Sequence, residues 1–178
     1  MSLFSAEANP PRPADLAGVL CGAGTAELFG KGTAGRLSVP VDQRWRLSAL
    51  RAEFAARGVT SANDGDKRLR TPFRTDLATL AASWCEGAHK SVPDQFRLDG
   101  AALRLWALAA GAETERGYRL TLDPEAPQTH EPLAAALREL GVGSRPVHQQ
   151  DGNPALLVQG RRRLERFREL IGALSPNR

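Results

Sequence analysis

Residues 103–111, LRLWALAAG, constrain this chain more than any other stretch. Leu103, Leu105, Trp106 and Leu108, with alanine at 101, 102, 107, 109 and 110, put apolar residues all the way round the helix they form, with Arg104 its one charged residue. A helix that is apolar all the way round has to be buried. Asp99 is placed to cap its start at Gly100 or Ala101, and Gly111 to stop it in the left-handed conformation. Ala107, Ala110 and Gly111 are small enough to admit a second backbone at close range. A partner of the same character precedes it. Residues 16–24, LAGVLCGAG, are again apolar, again rich in Gly and Ala and again end on glycine. Gly18 and Gly22 lie one turn apart there. Two buried helices in close contact are the expected centre of the molecule.

The elements around these helices run in the same order twice. Residues 25–42 read as two strands joined by a turn around 30–35. Leu37, Val39 and Val41 alternate with Arg36, Ser38 and Pro40, which buries one face and leaves the other open. Asp42 is placed to cap a helix over 44–57, with Trp45, Leu47, Leu50 and Phe54 near one face and Arg46, Arg51, Glu53 and Arg57 towards water. Residues 59–75 read as a hairpin turning at Asn63-Asp64-Gly65, with Leu69 and Phe73 inward. A helix follows over 77–85. The second half has a short, weakly marked strand at 112–114 and a strand over 116–122. A helix capped by Thr129 runs to 140, then a hairpin spans 144–150 and 155–159, and a closing helix starts at 161. The class is α+β with internal duplication, two pseudo-symmetric αββαββα halves. The expected division is a flexible leader over 1–13, with Pro10, Pro11 and Pro13, a first repeat over 14–86, a linker over 87–98 and a second repeat over 99–178.

A chain of 178 residues is long enough for one sizeable core or two small halves packed together. No apolar run is long enough to cross a membrane, and the N-terminus does not read as a signal peptide. Cys21 and Cys85 lack metal spacing and sit in apolar helical stretches, so they read as small buried residues of a reduced, cytoplasmic protein. A net charge of +4 permits nucleic-acid binding without requiring it. Gly22-Ala23-Gly24 lacks the strand-before, helix-after context of a phosphate loop, and His89, His130 and His148 have no paired spacing for zinc. No cofactor is expected.

The two glycine-ended stretches also carry a family resemblance. LAGVLCGAG resembles the motif of the LAGLIDADG homing endonucleases. Lys90, Val92 and Pro93 match the lead into the second half of the single-chain members, and Leu98, Leu103, Trp106 and Gly111 match the helix that follows. The resemblance covers nearly the whole chain, because the remaining elements keep the family's order. It implies a monomer with an internal pseudo-two-fold axis, paired motif helices and a saddle of antiparallel sheets that lies on double-stranded DNA. In the family, the acidic residue before the final glycine of each motif holds the catalytic divalent metal. This chain has Ala23 and Ala110 there, and Ala109 where a further aspartate precedes.

Alanine offers a divalent ion no hard oxygen ligand. Glu27 and Glu113 follow the motifs closely but read as solvent-facing strand residues. The expectation is a catalytically inactive relative that binds DNA without metal, associated with the nucleoid, with degenerate sporulation regulators as the precedent for a regulatory role. Its DNA-binding candidates are Arg36, Ser38, Arg68, Arg70, Arg74, Arg119, Thr121, His148 and Gln150, all read onto open strand faces. Such residues can contact phosphates and base edges, and arginine's planar fork suits both. Arg161-Arg162-Arg163 is a sharper charge run, a phosphate clamp or a solvated helix start. The alternative is a protein-interaction or scaffold module that kept the fold and lost DNA, which exposed apolar residues such as Phe29 would favour.

Overall fold

The computed structural model describes residues 2–174. A 3-10 turn, Pro13–Leu16, leads into α1 (Ala17–Cys21). The first half continues with β1 (Thr25–Phe29), β2 (Ala34–Pro40), α2 (Arg44–Ala56), β3 (Ala62–Asn63), β4 (Arg68–Arg70) and α3 (Ala78–Ser83). A two-stranded ribbon, β5 (Cys85–Glu86) and β6 (His89–Lys90), precedes α4 (Gly100–Ala110). Then come β7 (Gly111–Thr114), β8 (Gly117–Thr121), α5 (His130–Glu139), β9 (Ser144–His148), β10 (Pro154–Val158) and α6 (Arg161–Ile171). The strands form two four-stranded antiparallel sheets, ordered β1-β2-β4-β3 and β7-β8-β10-β9. The two orders correspond strand for strand, so the duplication read from the sequence is a duplication of topology. The weakly marked strand of the second half is present as β7.

The paired helices are α1 and α4. A Cβ on Gly18 would stand 2.0 Å from the Ala102 carbonyl oxygen and 2.8 Å from Leu105 Cβ. At Gly22 it would stand 3.0 Å from Ala110 Cβ. Glycine is therefore what allows the two backbones to touch. Leu16, Val19, Leu20 and Cys21 are fully buried against Leu103, Leu105, Trp106 and Leu108. The Trp106 indole donates to the Thr121 carbonyl oxygen at 3.0 Å, which satisfies its own buried N–H. One contiguous core joins these helices to Leu37, Val39 and Leu69 of the first sheet and to Tyr118, Leu120, Leu156 and Val158 of the second.

Several local expectations are corrected. Gly111 ends α4 in an extended conformation (φ −101, ψ 154), not a left-handed one. Glycine is needed there because a Cβ would lie 2.7 Å from the Ala107 carbonyl oxygen and 2.7 Å from the Tyr118 ring. Gln43, not Asp42, precedes α2, and no side chain caps it. Thr129 does not cap α5 either, since its hydroxyl donates to the Ala126 carbonyl oxygen. Asp99 does cap α4, accepting from the Ala102 N–H at 2.9 Å.

Trp45 and Phe73, read as inward, are 42% and 37% exposed. The leader is docked rather than free. Gly100 N–H donates to the Phe4 carbonyl oxygen at 2.7 Å and Ala6 N–H to that of Leu170 at 2.8 Å. Ser5, between them, is 6% exposed. Residue 1 of the leader and residues 175–178 of the second repeat lie outside the described residues.

Candidate nucleic-acid interface

Strand register decides which side chains share a face, because successive residues point to opposite sides of a sheet. In the first sheet Arg36 pairs with Glu27, Ser38 with Thr25 and Arg70, and Pro40 with Arg68. All of them lie opposite the buried Leu37, Val39 and Leu69 and so on the open face. Arg68 is exposed and has no ion pair among the described residues. Arg70 Nε donates to Ser38 Oγ at 3.2 Å, and its guanidinium pairs with Asp64 at 3.2 Å. Ser38 is on the expected face but is 3% exposed, covered where a strand residue was read as open.

Arg36 donates to Glu27 at 2.8 Å, its guanidinium lies 4.5 Å from the Phe73 ring centroid, and its Nε is buried without a partner. Arg74 sits beyond β4, where its backbone bridges to Gly35. It forks onto both oxygens of Asp76 at 2.8 Å. That bond holds the Asp76 carboxyl below its ordinary range.

In the second sheet Arg119 pairs with Leu157, which pairs with Arg145, while Thr121 pairs with Ala155, which pairs with Val147. These residues share the face turned away from Leu120, Leu156 and Val158, on which Ala155 and Leu157 are themselves covered. His148 pairs with Pro154 and falls on the side of Leu156 and Val158, away from Arg119 and Thr121. Gln150 lies in the turn after β9. Its neighbour Gln149 reaches in, donating to Thr121 Oγ1 at 3.3 Å. Arg145 and Gln149 thus occupy the places read for His148 and Gln150. The parity of this strand is set by its pairing with β10, which puts Val147 and not His148 on the side of Arg119 and Thr121. Arg161, Arg162 and Arg163 are exposed at the start of α6, and Arg161 pairs with Glu165 at 3.1 Å.

The two open faces meet at the C-terminal ends of α1 and α4. A cleft of about 530 Å³ there is lined by Ala23 and Ala110, by Pro40 and Lys67 of the first half and by Arg119 and Gln149 of the second. Each helix end is held by a cation from elsewhere in the chain. Lys90 Nζ donates to the carbonyl oxygens of Gly22 at 2.6 Å and Gly24 at 2.7 Å, and to Asp123 Oδ2 at 3.0 Å. Burial pushes the Lys90 ammonium below its ordinary pKa, against the pull of Asp123.

Arg46, from α2, donates to the carbonyl oxygens of Ala107 at 3.0 Å, Leu108 at 2.9 Å and Gly111. Carbonyls at a helix C-terminus lack intrahelical donors and attract cations, so both contacts are stabilising. Helical periodicity puts Arg46 towards water, and nothing in it marks a residue that crosses to the other half. Glu27 and Glu113 do not line the cleft, and Glu113 lies 3.4 Å from Arg168. Among the described residues, no group of three or more His, Cys, Asp or Glu is placed to hold a metal ion.

No family model and no curated protein matches the sequence. Solved structures match over nearly its whole length. The homing endonuclease I-WcaI bound to its DNA recognition sequence is similar at a TM-score of 0.63 and 13% identity, over 96% of this chain and 83% of that one. I-DmoI in complex with DNA and Mn is similar at 0.55 and 16%, over 90% and 96%. The N-terminal LAGLIDADG domain of DUF199/WhiA is similar at 0.55 and 11%, over 92% and 81%. The chain therefore has the fold of the LAGLIDADG homing endonucleases, and at these identities the likeness concerns the fold alone.

Proposed function

We propose that this chain binds double-stranded DNA across the open faces of its two sheets and does not cleave it. The observation that carries the reading is the cleft at the helix ends. It joins two cation-bearing faces, and it presents Ala23 and Ala110 where the resemblance calls for metal-holding acids. The residues present do not fit a divalent metal. Two methyl side chains replace carboxylates, and the carbonyl oxygens of Gly22, Gly24 and Gly111 already accept from Lys90 and Arg46. Hard cations need several oxygen ligands; the carboxylates that do line the cleft, Asp42 and Asp151, are two, and no third acid among the described residues joins them in a metal-holding group.

Phosphate contacts fall to Arg68, Arg70 and Arg36 on one sheet and to Arg119 and Arg145 on the other, with Thr121 and Gln149 facing base edges. Arg36, Arg70 and Arg74 contribute less than Arg68, since Glu27, Asp64 and Asp76 already hold them. The two repeats, 14–86 and 99–178 joined by 87–98, act as one monomeric saddle, in a regulatory role at the nucleoid. The fold supports this reading. The protein-interaction alternative is favoured by one observation, the exposed rings of Phe29 and Phe73.

The test is binding of a labelled random-sequence duplex at two salt concentrations, with and without magnesium. Binding should weaken with salt by about 0.9 log units per log unit for each phosphate contacted, without cutting. Absence of binding at low salt refutes the reading, and magnesium-dependent cutting refutes its second half.

A further inference from the structure

Phe29 and Phe73 are not explained by the fold or by duplex binding. Phe29 is 63% exposed although it ends a strand. By register it lies on the same face as Glu27 and Arg36, the open face. The two rings sit 5.2 Å apart, tilted by 40°. Arg36 covers one side of Phe73, its guanidinium 4.5 Å from the ring centroid. Lys31 is exposed in the adjoining turn, held at φ 60 between Gly30 and Gly32. The result is an aromatic platform with a stacked guanidinium behind it and a free ammonium beside it. It stands at the outer end of the first sheet. The matching strand end of the second half carries Thr114, so the device is one-sided.

We infer that this platform stacks an unpaired nucleobase. The inference rests on the DNA-binding reading and adds to it a preference for DNA in which one base has left the helix. Area favours a base over a protein. The two rings present roughly one phenylalanine's worth of surface, about 200 Å². A stable protein interface needs about 800 Å² from each side. One base matches the smaller area, every base has a face that stacks on an aromatic ring, and nearby cations hold its phosphate. A base inside a duplex hides that face between its neighbours, so only an extruded or unpaired base can use the platform.

The experiment compares a plain duplex with the same duplex carrying a single bulged 2-aminopurine, using the whole chain. The bulged duplex should bind about tenfold more tightly, with the 2-aminopurine fluorescence quenched on binding. Phe29→Ala should abolish both effects and leave plain-duplex affinity unchanged, while Phe29→Tyr, which keeps a ring, should retain them. Equal affinity for the two duplexes with no quenching overturns the inference and leaves duplex binding standing. Failure to bind any DNA overturns both. Self-association that Phe29→Ala removes, with DNA binding untouched, makes the pair a protein-docking surface instead and also overturns the inference.

Discussion

Two glycines show how differently one residue type can be required. At Gly18 the backbone angles would accept any residue, but a Cβ would stand 2.0 Å from the Ala102 carbonyl oxygen. At Gly32 a Cβ meets nothing within 4 Å, but φ is +87. Gly18→Ala forces α1 and α4 apart and should cost about 3 kcal/mol, the upper end for overpacking, because the obstacle is backbone. Gly32→Ala carries only local strain and should cost about 1 kcal/mol. Urea unfolding of both variants checks the contrast, and equal losses would mean that the helix contact is looser than described. Lys90 is the other residue whose role exceeds its apparent class. Lys90→Met removes the donor to Gly22, Gly24 and Asp123 at once and leaves a buried carboxylate without its cation. Stranding one partner of a buried pair costs about 3 kcal/mol or more. A melting temperature within a degree or two of the parent would show that the clamp is dispensable.

Among the elements, α2 adds polar contacts with α4 to the α1–α4 packing that joins the two halves. Arg46 grips the end of α4, Glu53 accepts from Arg104 of α4 at 2.7 Å, and Arg57 donates to Asp15 at 3.0 Å and to Glu53 at 2.8 Å. Burial alone would push the Glu53 carboxyl up, but the hydrogen bonds from Arg104 and Arg57 outweigh it and hold the pKa below the ordinary value of 4.5. The folded chain then binds this proton less readily than the unfolded chain. The stabilisation is complete above the ordinary glutamate value and is lost as pH falls through the depressed one. Glu53→Gln should therefore be less stable at neutral pH and lose less stability than the parent between about pH 5 and pH 3. Parallel acid-unfolding curves would exclude the linkage. None of this was visible in the spacing of Arg46, Glu53 and Arg57, which marks a solvated face. Periodicity finds which residues leave water, as Leu47, Leu50 and Phe54 do, and is silent on polar residues that meet another element. The docked leader was missed for the same reason, since Phe4 and Ala6 are held by backbone groups and not by a side-chain pattern.

On the scale of the molecule, the paired helices and the duplicated order of strands were legible because a helix apolar on every side has few ways to be buried and because the pattern occurs twice. The candidate interface was legible only in part. Arg36, Arg68, Arg70, Arg119 and Thr121 fall on open faces, whereas His148 and Gln150 do not, because the parity of β9 is set by its partner strand. What makes the two faces one surface is the shared cleft, and this leads to a prediction that a single face would not meet. Arg68→Gln, on the first sheet, and Arg119→Gln, on the second, should each weaken duplex binding about equally for all sequences and lower the salt slope by about 0.9. The two residues lie on separate sheets with no shared partner, so the double variant should lower the slope by about twice that amount, with additive losses of affinity. Titrations at several salt concentrations give all three slopes. If only one half met the duplex, one single variant would match the parent and the double variant would match the other. Losses well short of additive would mean instead that the chain shifts on the duplex to recover a contact, as a loosely held saddle could and a rigid one could not.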